Sequence, residues 1–186
     1  MHRYQILIEY VGTKFVGWQK QSKGKSVQKE VENHLSKLLK EKVLIYGSGR
    51  TDAGVHAIEQ SAHFDSKIKI KETKKLIKSL NFFLNPKKIS IINIKKKRVK
   101  FHARYSAKER IYKYFIINRL AAPTLENERA WHIRKKLNIK LLKKGAKKLV
   151  GTHDFSTFRA STCTAKSAIK KMNSIVIKKN QNKIML

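Results

Sequence analysis

The chain has 186 residues, 41% of them hydrophobic, long enough to bury roughly 70% of its unfolded surface and too apolar for a disordered tail. Lys and Arg number 44 against 12 Asp and Glu, a formal net charge of +32 that attracts polyanions and points to nucleic acid. No apolar run approaches the roughly 20 residues that span a bilayer, and a single cysteine, Cys163, excludes an internal disulfide or a cysteine-based zinc site. The first residues lead straight into a strand-like pattern, so no signal peptide is expected and the reading is cytoplasmic. The seven histidines never fall at metal-ligand spacing, so no metal is expected.

Taken in chain order, Arg3 to Tyr10 is rich in aromatic and β-branched residues and reads as a strand. Val11 to Lys14 is a turn, and Phe15 to Gln19 an irregular apolar segment. Ser26 is placed to cap a helix whose Val27, Val31, Leu35, Leu38 and Leu39 form one apolar face. Val43 to Tyr46 is a short strand, and Gly47 to Gly54 is a loop by composition. Ala57 to Phe64 is a third strand. Leu76, Ile77, Leu80 and Phe83 mark a second helix that stops near Asn85-Pro86. Ile89 to Ile94 is a fourth strand, and the run Lys95 to Arg98 is its solvated end.

The series then begins again. Arg110 to Asn118 reads as a long strand. Asn138 caps a helix carrying Leu141, Leu142, Ala146, Leu149 and Val150, closed by Gly151. Ile169 to Lys178 is a strand, Asn180 to Asn182 a turn, and Lys183 to Leu186 starts another strand. The expectation is an α+β fold of two ferredoxin-like β-α-β-β-α-β arrays, forming a largely antiparallel sheet with helices on one side. Residues 1–100 make the first array and residues 101–186 the start of a second, incomplete one. Ala121-Ala122-Pro123 is the expected connection between arrays.

Of three aspartates, Asp52 lies between glycines in Gly47-Ser48-Gly49-Arg50-Thr51-Asp52-Ala53-Gly54-Val55-His56-Ala57. Glycines let a backbone approach a ligand closely. Arg50, two residues away, can hold a phosphate or keep the carboxylate ionised, and such a carboxylate can act as nucleophile or base. On spacing alone, a tight turn whose Asp bonds its own backbone is the simpler reading. Asp154 is expected to fix its loop by hydrogen bonds, and Asp65 to be solvated at a strand end. Trp18 and Trp131 are expected in the core, and His56 is expected to be structural.

Several motifs agree on more. Gly49 to Ala57 resembles the nucleophile motif of the A family of tRNA pseudouridine synthases. Tyr10, Gly12, Phe15, Gly17-Trp18-Gln19 and Ser26-Val27-Gln28 resemble that family's N-terminal segment. Phe101-His102-Ala103-Arg104-Tyr105-Ser106-Ala107, followed by Tyr112-Lys113-Tyr114, resembles its central strand, and Gly151 to Arg159 the motif after its helix. The resemblance implies isomerisation of uridines in the tRNA anticodon stem-loop (positions 38–40), with no cofactor. It implies Asp52 as the catalytic aspartate, Tyr112 as the tyrosine that contacts the target uracil, and a homodimer gripping one tRNA. Arg50 and Arg104 are the candidate phosphate or Asp-pairing groups. Arg159 and the lysines are general RNA contacts, and Tyr105 and Tyr114 core or cross-strand rings.

The family pattern goes on to a Phe-Leu-x-x-Met-Val-Arg type segment, whose basic residue is thought to pair with the catalytic aspartate. None is found before Leu186, and the chain is read as stopping short of the completed fold. The competing readings are an inactive synthase fragment or a non-catalytic RNA-binding protein. A metal-dependent nuclease is weaker, because no second carboxylate lies near Asp52.

Overall fold

Period-two burial builds the first strand. In β1 (His2–Tyr10), Tyr4, Ile6, Ile8 and Tyr10 are buried on one face, leaving Arg3, Gln5 and Leu7 for the other. The computed structural model describes residues 1–159 and 167–186. They form two units, Met1–Arg110 and Ile111–Leu186.

In the first unit, α1 (Val27–Leu39) starts where the Ser26 side chain accepts a hydrogen bond from Lys29 N. It buries Val27, Val31 and Leu35. The strands β2 (Ile45–Gly47) and β3 (Ala57–Ser66) follow, then α2 (Thr73–Leu84) and β4 (Ile89–Lys97). The sheet order is β2-β3-β1-β4, with all three pairings antiparallel. This is the expected β-α-β-β-α-β array. One core joins the Tyr4–Tyr10 face of β1 to Phe64, Ile89 and Ile91 and to the buried stripes of both helices, so α1 and α2 cover the same side of the sheet. Each fully buried Leu or Ile there contributes about 1.5–3 kcal/mol.

Two details of this unit differ from expectation. The buried stripe of α2 is Leu76, Leu80 and Leu84, a strict i, i+4 row. Phe83 falls outside that row, is 44% exposed and stacks on His34 of α1 at 5.4 Å. Asp65 is not simply solvated: it lies opposite Arg3 in the β1–β3 register and takes a two-pronged pair from it, 2.8 and 2.7 Å. That hydrogen-bonded guanidinium holds the Asp65 carboxyl below its ordinary range. Arg3 also donates to the Val99 and Phe101 carbonyls, so it fastens the segment that leaves β4 onto the sheet.

The second unit comprises β5 (Phe115–Asn118), β6 (Trp131–Ile133), α3 (Ile139–Leu149), β7 (Gly151–Asp154), β8 (Ile169–Met172), β9 (Lys178–Asn180) and β10 (Lys183–Met185). One sheet runs β6-β5-β10-β9, with β5 and β6 parallel, and β7 and β8 form a separate antiparallel ladder. The strand expected over Arg110 to Asn118 is a strand only from Phe115, although Tyr114 and Leu186 exchange both backbone hydrogen bonds, 3.0 and 2.9 Å. The strand expected over Ile169 to Lys178 is two short strands separated by residues 173–177. β6 was not foreseen, and Trp131 within it is 69% exposed rather than core. Ala121-Ala122-Pro123 lies inside this unit. The Asn138 cap of α3 is present, accepting from Leu141 N. Ile116, Ile177 and Ile184 form the small core, with Leu142 and Ala146 of α3 packed partly buried against it. Cys163 lies outside the described residues, among which no helix is long and apolar enough to cross a membrane.

Candidate active site

Asp52 stands on a turn between β2 and β3, closed by Val55 N donating to the Asp52 carbonyl at 3.2 Å. Contacts from distant chain hold this turn. The segment after β1 runs alongside it: Trp18 N donates to the Thr51 carbonyl at 3.1 Å, and Gly54 N to the Phe15 carbonyl at 3.3 Å. Gly12 N donates to His56 Nδ1 at 3.1 Å, which gives His56 the structural part expected of it. Tyr10 Oη and Thr51 Oγ1 are 2.9 Å apart, and burial pushes the Tyr10 phenol up, against the opposing effect of that hydrogen bond. The far side of the loop is fixed by Ser48 N donating to the Ser61 carbonyl and Gln60 Nε2 to the Gly49 carbonyl.

Two glycines make the approach possible. A Cβ on Gly12 would sit 2.0 Å from the Val55 carbonyl oxygen. At Gly17, φ is +108° and a Cβ would lie 2.5 Å from the Thr51 carbonyl oxygen, so both the conformation and the space exclude a side chain. Trp18 next to it is core, as expected, 3% exposed and stacked on Tyr10 at 6.0 Å.

Apart from those to the Thr51 hydroxyl and the His56 ring, these bonds use the backbone of the turn. Among the described residues the Asp52 carboxylate makes no hydrogen bond and no ion pair, and the residue is exposed. The simple Asx-turn, in which Asp52 would bond its own backbone, is therefore not what holds it. Asp154 behaves in the opposite way. Its carboxylate accepts from Ser156 N at 2.8 Å and Ser156 Oγ at 2.6 Å, which lowers its pKa and spends it on the local loop, as expected.

Arg50 shares the loop with Asp52, is exposed and makes no ion pair with it. Arg104 is exposed in the segment that follows β4, its guanidinium carbon 5.9 Å from the Tyr105 ring centre. Arg110, which local pattern did not single out, links that segment to the loop: its Nη2 donates to the Ser48 carbonyl at 2.8 Å and to the Arg104 carbonyl at 3.3 Å. No signal in the sequence marks a contact between positions 62 residues apart. Tyr112 belongs to the second unit, 67% exposed in the stretch that leads into β5. Tyr105, expected to be core or cross-strand, is 78% exposed.

The comparisons with known proteins agree with the motifs. A family model described as tRNA pseudouridine synthase matches residues 6–106 and 146–185. A protein named tRNA pseudouridine synthase A from Pelagibacter ubique (strain HTCC1062) is 67% identical over 184 residues, covering 99% of this chain and 75% of the relative. Proteins of the same name from Anaplasma phagocytophilum (strain HZ) and Neorickettsia sennetsu (strain ATCC VR-367 / Miyayama) are 44% and 43% identical. They cover 94% and 96% of this chain, which spans 72% and 73% of their lengths. Matched by the family model over residues 6–106 and 146–185 and 67% identical to a relative over 99% of its length, the chain belongs to the tRNA pseudouridine synthase family.

Proposed function

We propose that this chain isomerises uridine to pseudouridine on the 3′ side of the tRNA anticodon stem-loop, with Asp52 as nucleophile. The observation that carries this reading is the carboxylate itself: its backbone is fixed from both sides while its oxygens are engaged by no described residue. Such an arrangement spends the loop's hydrogen bonds on position and leaves the reactive group for the substrate. In the reaction the N-glycosidic bond breaks, the uracil turns, and a carbon–carbon glycosidic bond forms at C5. The C5 hydrogen leaves as a proton and N1 gains one, so the balance needs no redox partner and no cofactor. Asp52 can serve by adding to the base, by attacking the sugar or by taking a sugar proton, and each route requires unengaged carboxylate oxygens.

Tyr112 supplies the ring on which the target uracil, taken out of its stack, regains stacking. Arg50 and Arg104 serve the RNA phosphates or pair with Asp52. The net charge of +32 draws tRNA toward the chain, and the working unit is a homodimer, which light scattering would read as twice the 21.6 kDa of the chain. Mapping of pseudouridine in an unmodified tRNA transcript by carbodiimide labelling and reverse-transcription stops tests the reaction and its location. The expected stops fall on the 3′ side of the anticodon stem-loop. A tRNA that is bound but unlabelled would instead make the chain a non-catalytic RNA-binding protein.

A further inference from the structure

The face of the first sheet opposite α1 and α2 carries a row of rings. His63 on β3 lies between Ala62 and Phe64, both buried on the helix side, so its own side chain belongs to the other face. It is nevertheless only 2% exposed, because residues 101–105 fold over it: Ala103 N donates to His63 Nδ1 at 3.2 Å, and the His102 ring lies 4.6 Å away. Tyr46 on β2, the cross-strand partner of His63, stacks on it at 5.2 Å. Tyr105 packs on His102 at 4.4 Å. The row therefore ends in two rings that are not covered, Tyr46 at 49% and Tyr105 at 78% exposure.

Their surroundings are cationic and close to the Asp52 loop. Tyr46 directly precedes Gly47, where the loop begins. Arg104 lies over the Tyr105 ring, and Arg110 hydrogen-bonds both the Arg104 carbonyl and the Ser48 carbonyl of the loop. The ring contact that Tyr105 makes within the fold is with His102, and the greater part of Tyr105 is left in water. Exposed aromatic faces set among arginines, on a chain of charge +32, match an unpaired stretch of RNA, which offers π-faces and phosphates together. A protein partner would need a broader apolar centre than two rings set beside Arg104 and Arg110 provide.

We infer that Tyr105, with Tyr46 beside it, is a stacking shelf for an unpaired nucleobase of the RNA substrate, with Arg104 on the adjoining phosphate and Arg110 as the positioning residue that keeps the shelf beside the Asp52 loop. This rests on the reading of that loop as the place where uridine reacts, and extends it to a neighbouring nucleotide.

The test uses the full chain with Asp52→Asn, so that chemistry does not alter the RNA. The probes are an anticodon stem-loop RNA and a single-stranded oligouridine carrying one 2-aminopurine. Tyr105→Ala is expected to weaken binding of both by about 5- to 150-fold, the range of losing one stacked base, and to abolish the 2-aminopurine quenching that accompanies binding. Tyr105→Phe should retain both, since the ring and not the hydroxyl does the work. Arg104→Ala should lower the log–log salt slope by about 0.7–0.9. Unchanged affinity and quenching in Tyr105→Ala, with thermal unfolding unchanged, would overturn the shelf, as would a Phe variant as weak as the Ala variant. The outcome is separable from that of the synthase reading. A chain without turnover that still loses RNA binding on Tyr105→Ala keeps the shelf. An active chain indifferent to that substitution loses it.

Discussion

At His63, burial and the neighbouring His102 push the imidazole down to about 4, whereas in the unfolded chain it takes up its proton near 6.5. Between those values the unfolded chain binds more protons than the folded one. The contribution of a neutral His63 is thus complete above pH 6.5, declines as pH falls through the window, and is exhausted below about pH 4. The span is on the order of 3 kcal/mol. Arg3 and Asp65 also face this ring, with opposing effects on it. The depressed Asp65 carboxyl likewise loses its contribution on acidification, so the variant is needed to separate the two. Urea unfolding near pH 7 and near pH 4 should show a larger loss in the wild-type chain than in His63→Asn; equal losses would contradict the assignment. At this scale the sequence was readable where chemistry is local, as at Asp154, whose carboxylate bonds Ser156 two residues on. It was silent where a side chain reaches across the fold, as Arg110 does to Ser48 and Arg3 to Asp65.

Elements of the first unit were legible because their periodicity is strong. The i, i+4 apolar rows of α1 and α2 and the alternation of β1 each lead to one buried face. Phe83 went astray because helical spacing alone does not tell the edge of an apolar row from its centre. In the second unit the strands are three or four residues long, too short for alternation to register, and the pairing of β5 with β6 is parallel, which no hairpin turn announces. The segment from Val11 to Gln19, read from the sequence as a turn followed by an irregular apolar stretch, supports the Asp52 turn. Gly17→Ala tests that role. The added methyl meets the Thr51 carbonyl in a backbone conformation that disfavours it. The variant should be destabilised by more than about 1 kcal/mol and lose about tenfold or more in kcat/KM, because small misplacements of a reacting group are costly. Thermal unfolding and turnover of tRNA measure the two losses. A Gly17→Ala chain with wild-type values for both would show that the segment does not position the turn.

For the whole molecule, the first unit resolves a division of labour. The helices cover one side of the β2-β3-β1-β4 sheet and supply the core. The opposite side carries the ring row, and the β2–β3 connection carries the Asp52 turn. The charge of +32 suits a polyanionic substrate, and the large core of the first unit holds the compact state against the self-repulsion such a charge brings. The central claim is that Asp52 carries the chemistry. Release of tritium from tRNA labelled at uracil C5, with the wild-type chain and Asp52→Asn side by side, tests it most directly, because the C5 hydrogen leaves only when the new glycosidic bond forms there. The account predicts release by the wild-type chain and background counts from Asp52→Asn, with tRNA binding retained by both. Release by Asp52→Asn at the wild-type rate, or none from a wild-type chain that binds tRNA, would contradict it.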